Sequence, residues 1–194
     1  QGMLNAIGDP TEGALLLAAD RLGYNKAELD NRWPRVGEVP FTSERKRMTT
    51  VHRMDESVQQ TDLPWGDSPY VALSKGAVDS LIDVTDSVLV NNEIVPLTEE
   101  LHERILSANA ELAGQGQRVL GVAFRFWDSA EIPEDQSVME QQEVFAGMVA
   151  MMDPPRPEAK AAVVTAREAG IRPLMITGDH PLTALRIAQD LQIT

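Results

Sequence analysis

One lysine and one glycine follow a strand-like apolar run in residues 70–79, immediately before a predicted helix. Lys75 at the end of a strand presents an ammonium group, and Gly76 lets the backbone come close to a ligand. A lysine at a strand end is nevertheless most often a solvated surface charge. The segment Lys75-Gly76-Ala77 therefore indicates an anion site only if other residues of the chain converge on it.

An aromatic ring stands beside a dense cluster of cations in residues 41–48. Such a cluster in a hairpin loop is usually solvated. The alternative is that Phe41 stacks on a base while Lys46 reaches the anionic part of the same ligand, and stacking of this kind is worth ~1–3 kcal/mol. Arg118, at the start of another predicted strand, is a further cation, although alone it is weak evidence.

A helix-capping pattern surrounds Glu12. Asp9 suits the N-cap, Pro10 suits the first helical position, and Glu12 stands three residues after the cap. Two interpretations are open: a capping box and nothing more, or a carboxylate at the mouth of a helix that accepts a hydrogen bond from a ligand amine.

A hydroxyl and a carboxylate follow a predicted strand near the end of the chain. This strand is residues 172–176, and Thr177-Gly178-Asp179 comes just after it, where open α/β sheets place their chemistry. The alternation of strands and helices with short connections predicts a parallel α/β pattern. The dense prolines of residues 153–158 suit a stiff joint between two bodies.

Charge and composition limit the class of ligand. With 17 basic against 30 acidic residues the formal net charge is -13, so nucleic acid is excluded as a partner because its binding requires clustered cations. A polyanionic small molecule would need the few cations to be gathered locally. The chain has no cysteine, and its three histidines lack metal-ligand spacing, so no metal site is predicted.

No secretory signal is visible at the N-terminus. The longest apolar run, residues 145–152, is far shorter than the ~20 residues of a membrane-spanning helix. We expect the chain as given to be soluble.

Hydrophobic periodicity and capping residues predict the elements that must position these side chains. The predicted strands are residues 36–41, 48–54, 70–74, 87–90, 93–96, 118–126, 145–152 and 172–176. The predicted helices begin at Pro10, Val78, Thr98, Pro157 and Pro181. Residues 59–68 are predicted to form a loop, and Asn91-Asn92 to turn a hairpin.

Five segments, in this order, resemble the nucleotide-binding domain of P-type cation-transporting ATPases, most closely the calcium-pump and sodium/potassium-pump branches. The segments are residues 8–15, 41–48, 75–77, 116–120, and 152–156 together with 175–179. The resemblance covers essentially the whole chain, and its last two segments are highly specific.

The resemblance implies an α+β fold. Residues 1–152 would be the nucleotide-binding domain, an antiparallel sheet flanked by helices. Residues 153–194 would be a hinge and part of a phosphorylation domain, a partial α/β segment like that of haloacid dehalogenases. Asp153 and Arg156 would lie at the hinge.

The resemblance also implies the roles of the candidate residues. Phe41 would stack on adenine, with Glu12 beside the base. Arg118 would pair with the phosphate chain. The pocket would be lined by Lys46, Lys75 and Gly76. The residues near the transferred phosphoryl group would be Thr177, Gly178 and Asp179.

Two motifs of the family do not occur in the sequence: the Asp-Lys-Thr-Gly-Thr run with the phosphorylated aspartate, and the Gly-Asp-Gly-x-Asn-Asp run that helps to hold magnesium. We therefore expect a piece of a larger pump, the ATP-binding cytoplasmic domain of an integral membrane protein that moves calcium or a related cation. This piece should bind ATP without hydrolysing it. Its partners would be ATP, Mg²⁺ in the full-length protein, and the remaining phosphorylation, actuator and transmembrane domains.

Two alternatives stay open at this point. Thr177-Gly178-Asp179 after a strand is also typical of a self-contained phosphatase of the haloacid-dehalogenase class, although no nucleophilic aspartate is apparent. A non-enzymatic interaction module with a basic surface loop would explain residues 41–48 equally well. For residues 153–194 we expect mobility, dimerisation or folding back on the main domain, because an apolar strand there would lack parallel neighbours.

Overall fold

The computed structural model describes residues 9–54, 68–127, 129, 133, 135, 138–152, 156–176 and 181–193. The strands are β1 (Arg35–Val39), β2 (Arg47–Arg53), β3 (Tyr70–Gly76), β4 (Thr85–Val90), β5 (Glu93–Pro96), β6 (Arg118–Trp127) and β7 (Glu143–Met151). The helices are α1 (Pro10–Arg21), α2 (Lys26–Arg32), α3 (Val78–Ile82), α4 (Glu99–Gly114), α5 (Pro157–Glu168) and α6 (Pro181–Asp190).

The strands form one seven-stranded sheet in the order β1-β2-β3-β6-β7-β4-β5. The pairs β1–β2, β2–β3, β3–β6 and β4–β5 are antiparallel, whereas β4 and β7 are parallel. The predicted α+β fold, a mostly antiparallel sheet with helices, is confirmed. The haloacid-dehalogenase-like character of residues 153–194 stays a prediction.

Local sequence signals account for most of the elements. Asp9 caps α1, since its carboxylate accepts hydrogen bonds from the amides of Thr11 at 2.7 Å and Glu12 at 3.3 Å. Gly23, with φ of 87°, ends this helical segment as predicted. The turn between β4 and β5 has Asn91 at φ 51° and Asn92 at φ 65°, which confirms the predicted hairpin.

The register of β2 on β3 gives the sheet two faces with different chemistry. Met48 pairs with Lys75, and Thr49 pairs with Ser74. Because successive side chains of a strand alternate between faces, Met48 and Lys75 share what we call the front face, and Thr49 and Ser74 share the back face. On the back face Val51 packs in a buried apolar cluster whose other members are Val39, Ala72 and Met139.

Two sequence predictions need correction, and one helix was not predicted. Residues 172–176 form no strand, and the side chains of Leu174 and Ile176 are 76% and 96% exposed. An apolar run becomes a strand only when a neighbouring strand satisfies its backbone hydrogen bonds, and these residues pair with no described strand. Strand β7 begins two residues earlier than predicted, and only its first three residues are buried. Helix α2 was not predicted, because none of its residues is buried and its sequence lacks the apolar periodicity of an amphipathic helix.

The chain divides into two compact units, Gln1–His102 with Leu120–Val149 and Glu103–Val119 with Ala150–Thr194. In the second unit, Arg167 donates a hydrogen bond to the carbonyl of Ile193 at 3.1 Å, and Arg186 pairs with Asp190 at 3.4 Å. The domain boundary after residue 152 stays a prediction. None of the described helices has the length and apolar content of a membrane-spanning segment.

Candidate functional site

Two of the candidate residues, distant in sequence, form an ion pair on the front face of the sheet. The ammonium of Lys75 donates to Oε1 of Glu12. Helix α1 presents Glu12 from its first turn, which the Asp9 cap holds in place, and β3 presents Lys75 at its penultimate position. Because an ammonium carries three donors, Lys75 can bind Glu12 and an anionic ligand at the same time.

A cavity of about 370 Å³ lies at this ion pair. Its apolar lining residues are Leu15, Met48, Leu73, Leu120 and Val122. Its polar lining residues are Glu12, Arg35, Thr50 and Lys75; Ser74 also lines it, although the Ser74 side chain lies on the back face. Apolar walls with a few convergent polar groups are typical of small-molecule sites, and the two cations suit an anionic ligand.

A larger cavity of about 570 Å³ lies between the front face, α1 and α2. Its charged lining residues are Asp20, Lys26 and Asp30. Two carboxylates and one lysine line this cavity, whereas two cations and one carboxylate line the smaller cavity, so the smaller cavity offers an anion the more cationic environment. The smaller cavity is therefore the candidate site.

Gly76 is required for the close approach of β2 to β3. A Cβ atom at Gly76 would lie 2.5 Å from the carbonyl oxygen of Lys46 and 2.6 Å from Cβ of Arg47. The amide of Ala77 also donates to the carbonyl of Lys46 at 3.0 Å. The close contact at this glycine is thus made by the chain itself, and it brings the backbone of Lys46 beside the end of β3.

The loop before β2 carries two candidate residues. Lys46 has a left-handed backbone with φ of 51°, its amide donates to the carbonyl of Thr42 at 2.8 Å, and its ammonium lies 3.6 Å from a carboxylate oxygen of Asp79. The side chain of Phe41 is 59% exposed. Both residues stand outside the cavity wall, on a loop whose end is attached to the strand that carries Lys75.

The remaining candidates are placed as follows. Arg118 is the exposed first residue of β6 and belongs to the second unit, as does Arg156, the N-cap residue of α5. Asp153 and the segment Thr177-Gly178-Asp179 lie outside the described residues.

Sequence reasoning missed a buried carboxylate on the back face of the sheet. Glu140 is 0% exposed, and its oxygens accept hydrogen bonds from Arg45 at 2.6 Å, from Nε of Arg47 at 3.0 Å and from the hydroxyl of Thr49 at 3.0 Å. Arg45 and Arg47 belong to the cation cluster for which a solvated loop was one interpretation. The available signal was Thr49, a polar residue two positions before a buried apolar residue on the same face.

A second buried carboxyl group continues this network. The hydroxyls of Thr49 and Ser74 are 2.7 Å apart, and Ser74 donates to Oε1 of Glu143 at 2.5 Å. Burial, together with the nearby charge of Glu140, raises the pKa of Glu143 to about 7, against the opposing effects of the Ser74 hydrogen bond and of two arginines. We call the set Arg45, Arg47, Thr49, Ser74, Glu140 and Glu143 the back-face network.

A family model and several known proteins that resemble this chain all belong to cation-transporting ATPases. Residues 1–158 match the family model described as P-type ATPase, cytoplasmic domain N. The chain is 40% identical over 186 residues to calcium-transporting ATPase 1 of Bacillus cereus, which covers 96% of this chain and 19% of that protein.

Two further relatives show similar coverage. The sodium/potassium-transporting ATPase subunit alpha of Tetronarce californica is 34% identical over 193 residues, 96% of this chain and 18% of that protein. A calcium-transporting ATPase of Listeria monocytogenes is 33% identical over 189 residues, 95% of this chain and 20% of that protein. The chain spans about a fifth of the length of these curated relatives.

Proposed function

This chain belongs to the family of P-type ATPase cytoplasmic N domains, and we propose that it binds ATP in the front-face cavity at Glu12 and Lys75. One observation carries the proposal: these residues meet as an ion pair at the edge of an apolar cavity. An acidic protein with net charge -13 would repel a polyanion elsewhere on its surface. The two cations that line the cavity, Arg35 and Lys75, therefore matter for binding.

The chemistry of the site suits the two ends of the nucleotide. The apolar wall of the cavity accepts the flat adenine ring, and the carboxylate of Glu12 accepts a hydrogen bond from the adenine amino group. Lys75 and Lys46 donate charge-assisted hydrogen bonds to phosphate oxygens. Phe41, which is exposed, stacks on the base and adds ~1–3 kcal/mol of binding free energy.

The wider setting is also part of the proposal. The relatives are named as calcium-transporting and sodium/potassium-transporting ATPases, and we propose that this chain serves such a cation pump on the cytoplasmic side of a membrane. It would present the γ-phosphate of ATP to an aspartate outside this sequence. Arg118 on the phosphate chain and Thr177-Gly178-Asp179 near the phosphoryl group are proposals from the sequence motifs alone.

Magnesium would neutralise part of the phosphate charge in the full-length protein. The described part of the chain has no group of three or more histidine, aspartate or glutamate side chains arranged to hold a metal ion. We therefore assign no residue of the described chain to magnesium.

Titration of ATP into the chain, followed by amide NMR signals and by calorimetry, tests the proposal. Signals of Phe41 and Lys75 should shift, and Lys75→Ala should weaken binding by about tenfold or more, since a charge-assisted hydrogen bond is worth ~1.5–3 kcal/mol. Lys26→Ala is the matched control, because Lys26 also pairs with a carboxylate but lines the larger cavity. Saturating ATP without signal shifts near Lys75, or equal losses in both variants, would refute the proposal.

A further inference from the structure

The back-face network holds residues 40–47 by hydrogen bonds, and this loop carries Phe41 and Lys46, two of the proposed ATP contacts. Arg45 and Arg47 stand on either side of Lys46, and both donate to the same buried carboxylate, Glu140, one arginine to each oxygen. The side chains of the two arginines are only 22% and 13% exposed. Lys46 is therefore the single residue between two anchored neighbours.

The backbone of Lys46 needs such an anchor. A left-handed conformation is unfavourable for a non-glycine residue and persists only where the surroundings impose it. Hydrogen bonds with Thr42 and Ala77 contribute from one side. From the other side, Arg47 donates to both the carbonyl and the hydroxyl of Ser80 at 3.1 and 3.0 Å, so the arginine side chain itself is fixed.

The same network reaches the start of the loop. Besides its bond to Glu140, the guanidinium of Arg45 donates to the carbonyl of Pro40, the residue immediately before Phe41. One arginine thus connects the backbone beside Phe41 with the residue beside Lys46. Loss of the carboxylate would release both ends of the loop together.

Glu140 itself is held firmly enough to act as the anchor. Its neighbour Met139 is 0% exposed and packs in the back-face apolar cluster. Arg125 of β6 donates to the carbonyl of Val138 at 2.5 Å, and Thr49 donates to Glu140 directly. A charged group that is buried and fully hydrogen-bonded permits few alternative arrangements of its partners.

We propose that Glu140 is a positioning residue for ATP: from the back of the sheet it holds residues 40–47 so that Phe41 and Lys46 are ready to bind the nucleotide. This inference rests on the proposed function. Glu140 touches no ligand, and its effect passes entirely through Arg45 and Arg47. Preorganisation of this kind raises affinity because the loop does not need to be ordered when the ligand binds.

The test compares ATP affinity by calorimetry in the wild-type chain and in Glu140→Gln. Glutamine has nearly the same shape but replaces one acceptor oxygen with an amide donor that faces an arginine. We expect ATP binding to weaken by about tenfold, from the cost of ordering two released side chains. Near-ultraviolet circular dichroism is measured on each variant to establish that it is folded.

A second background separates positioning from general damage. In Phe41→Ala/Lys46→Ala, the loop no longer contacts ATP, so adding Glu140→Gln should cause no further loss of affinity. An equal tenfold loss in both backgrounds would overturn the proposal, because Glu140 would then act by another route. Val51→Ala is the control for packing, since it removes buried volume on the same face without touching the two arginines, and it should leave ATP affinity unchanged.

Arg45→Gln keeps the test decisive if Glu140→Gln does not fold. Arg45 is partly exposed, and its replacement cuts the connection between Glu140 and Pro40, so ATP affinity should again fall. Absence of ATP binding by the wild-type chain would overturn both the proposed function and the role of Glu140. Wild-type binding together with unchanged affinity in the folded variants would overturn the role of Glu140 alone.

Discussion

The charged groups at the two faces of strands β2 and β3 differ in their exposure to water. On the front face, Lys75 and Glu12 form a pair whose side chains are 27% and 52% exposed. On the back face, the carboxyl groups of Glu140 and Glu143 are 0% exposed. A partly exposed ion pair therefore lies against the front face of these strands, and a buried network lies against their back face.

This difference separates binding from stability. An exposed ion pair is screened by water and contributes little to the free energy of folding, so its charges remain available to a ligand. A buried charge that loses its partner is costly because desolvation is no longer offset. Substitutions on the back face should therefore change stability most, and substitutions on the front face should change ligand affinity most.

The largest effect is expected for Arg47→Met. The variant leaves the buried Glu140 with one arginine fewer and also removes the bonds to Ser80, so unfolding free energy should fall by about 3–5 kcal/mol. Urea denaturation measures the loss. Arg53→Met, on the same face of β2 but exposed, should cost less than about 0.5 kcal/mol. Similar losses for the two arginines would show that the buried hydrogen bonds to Glu140 and Ser80 do not account for the stability of this face.

The next effect depends on pH and concerns Glu143. Its pKa is raised from 4.5 to about 7 in the folded chain, so the folded state holds its proton more tightly than the unfolded state. The resulting stabilisation, about 3 kcal/mol, is present below pH 4.5 and is lost as the pH rises through about 7.

Glu143→Gln mimics the protonated group and should remove this slope. We expect the variant to exceed the wild type in stability at about pH 8 and to approach it at about pH 5, as measured by urea denaturation at both values. Val144→Ala, beside it in β7, should lose the same stability at both. A constant difference between wild type and Glu143→Gln would refute the raised pKa.

An intermediate effect is expected at Gly76, where the end of β3 lies close to the backbone of Lys46. Gly76→Ala forces a Cβ atom against the backbone of Lys46, so the strand must shift and stability should fall by about 1–3 kcal/mol. Gly114→Ala is the matched control, because a Cβ atom there meets nothing within 4 Å and helix propensity favours alanine. Thermal unfolding of both variants decides the matter, and tolerance of alanine at Gly76 would contradict the close contact.

The smallest effect is expected on the front face. A double-mutant cycle with Glu12→Gln and Lys75→Met should give a coupling of only ~0.2–1 kcal/mol in the absence of nucleotide, because water reaches both side chains and screens the pair. The exposed pair Lys26 and Asp30 provides the reference cycle. A coupling as large as the loss in Arg47→Met would show that the two faces do not differ in the proposed way.

Much of the fold was accessible from local sequence signals. The Asp9 cap, the paired asparagines of the hairpin and the alternation in β6 are properties of neighbouring residues, and each predicted its element. Residues 172–176 show the limit of this reasoning, since their composition suits a strand but no described strand pairs with them. Strand formation is a property of two segments, whereas a helix start is a property of one.

The candidate site was predicted less completely than the fold. Glu12 and Lys75 were both proposed, and they do meet. Glu140 was not proposed, because the connection before β7 is acidic and gives no sign of which carboxylate turns inward. That choice is made by the packing of Met139 and by the position of Arg45 and Arg47, which comes from a distant part of the chain.

By itself the sequence determined the family resemblance, the inventory of cations and the residues that begin and end the helices. Only the tertiary structure decided which carboxylate meets which cation: Glu12 with Lys75, Asp79 with Lys46, and Glu140 with the two arginines. Ion pairing depends on strand register and on burial, which set both the distance between charges and the dielectric around them. Neither the distance nor the dielectric is contained in the spacing of residues along the chain. Both are needed to distinguish Lys46, which is open to a ligand, from Glu140, which holds the loop of Lys46 in place.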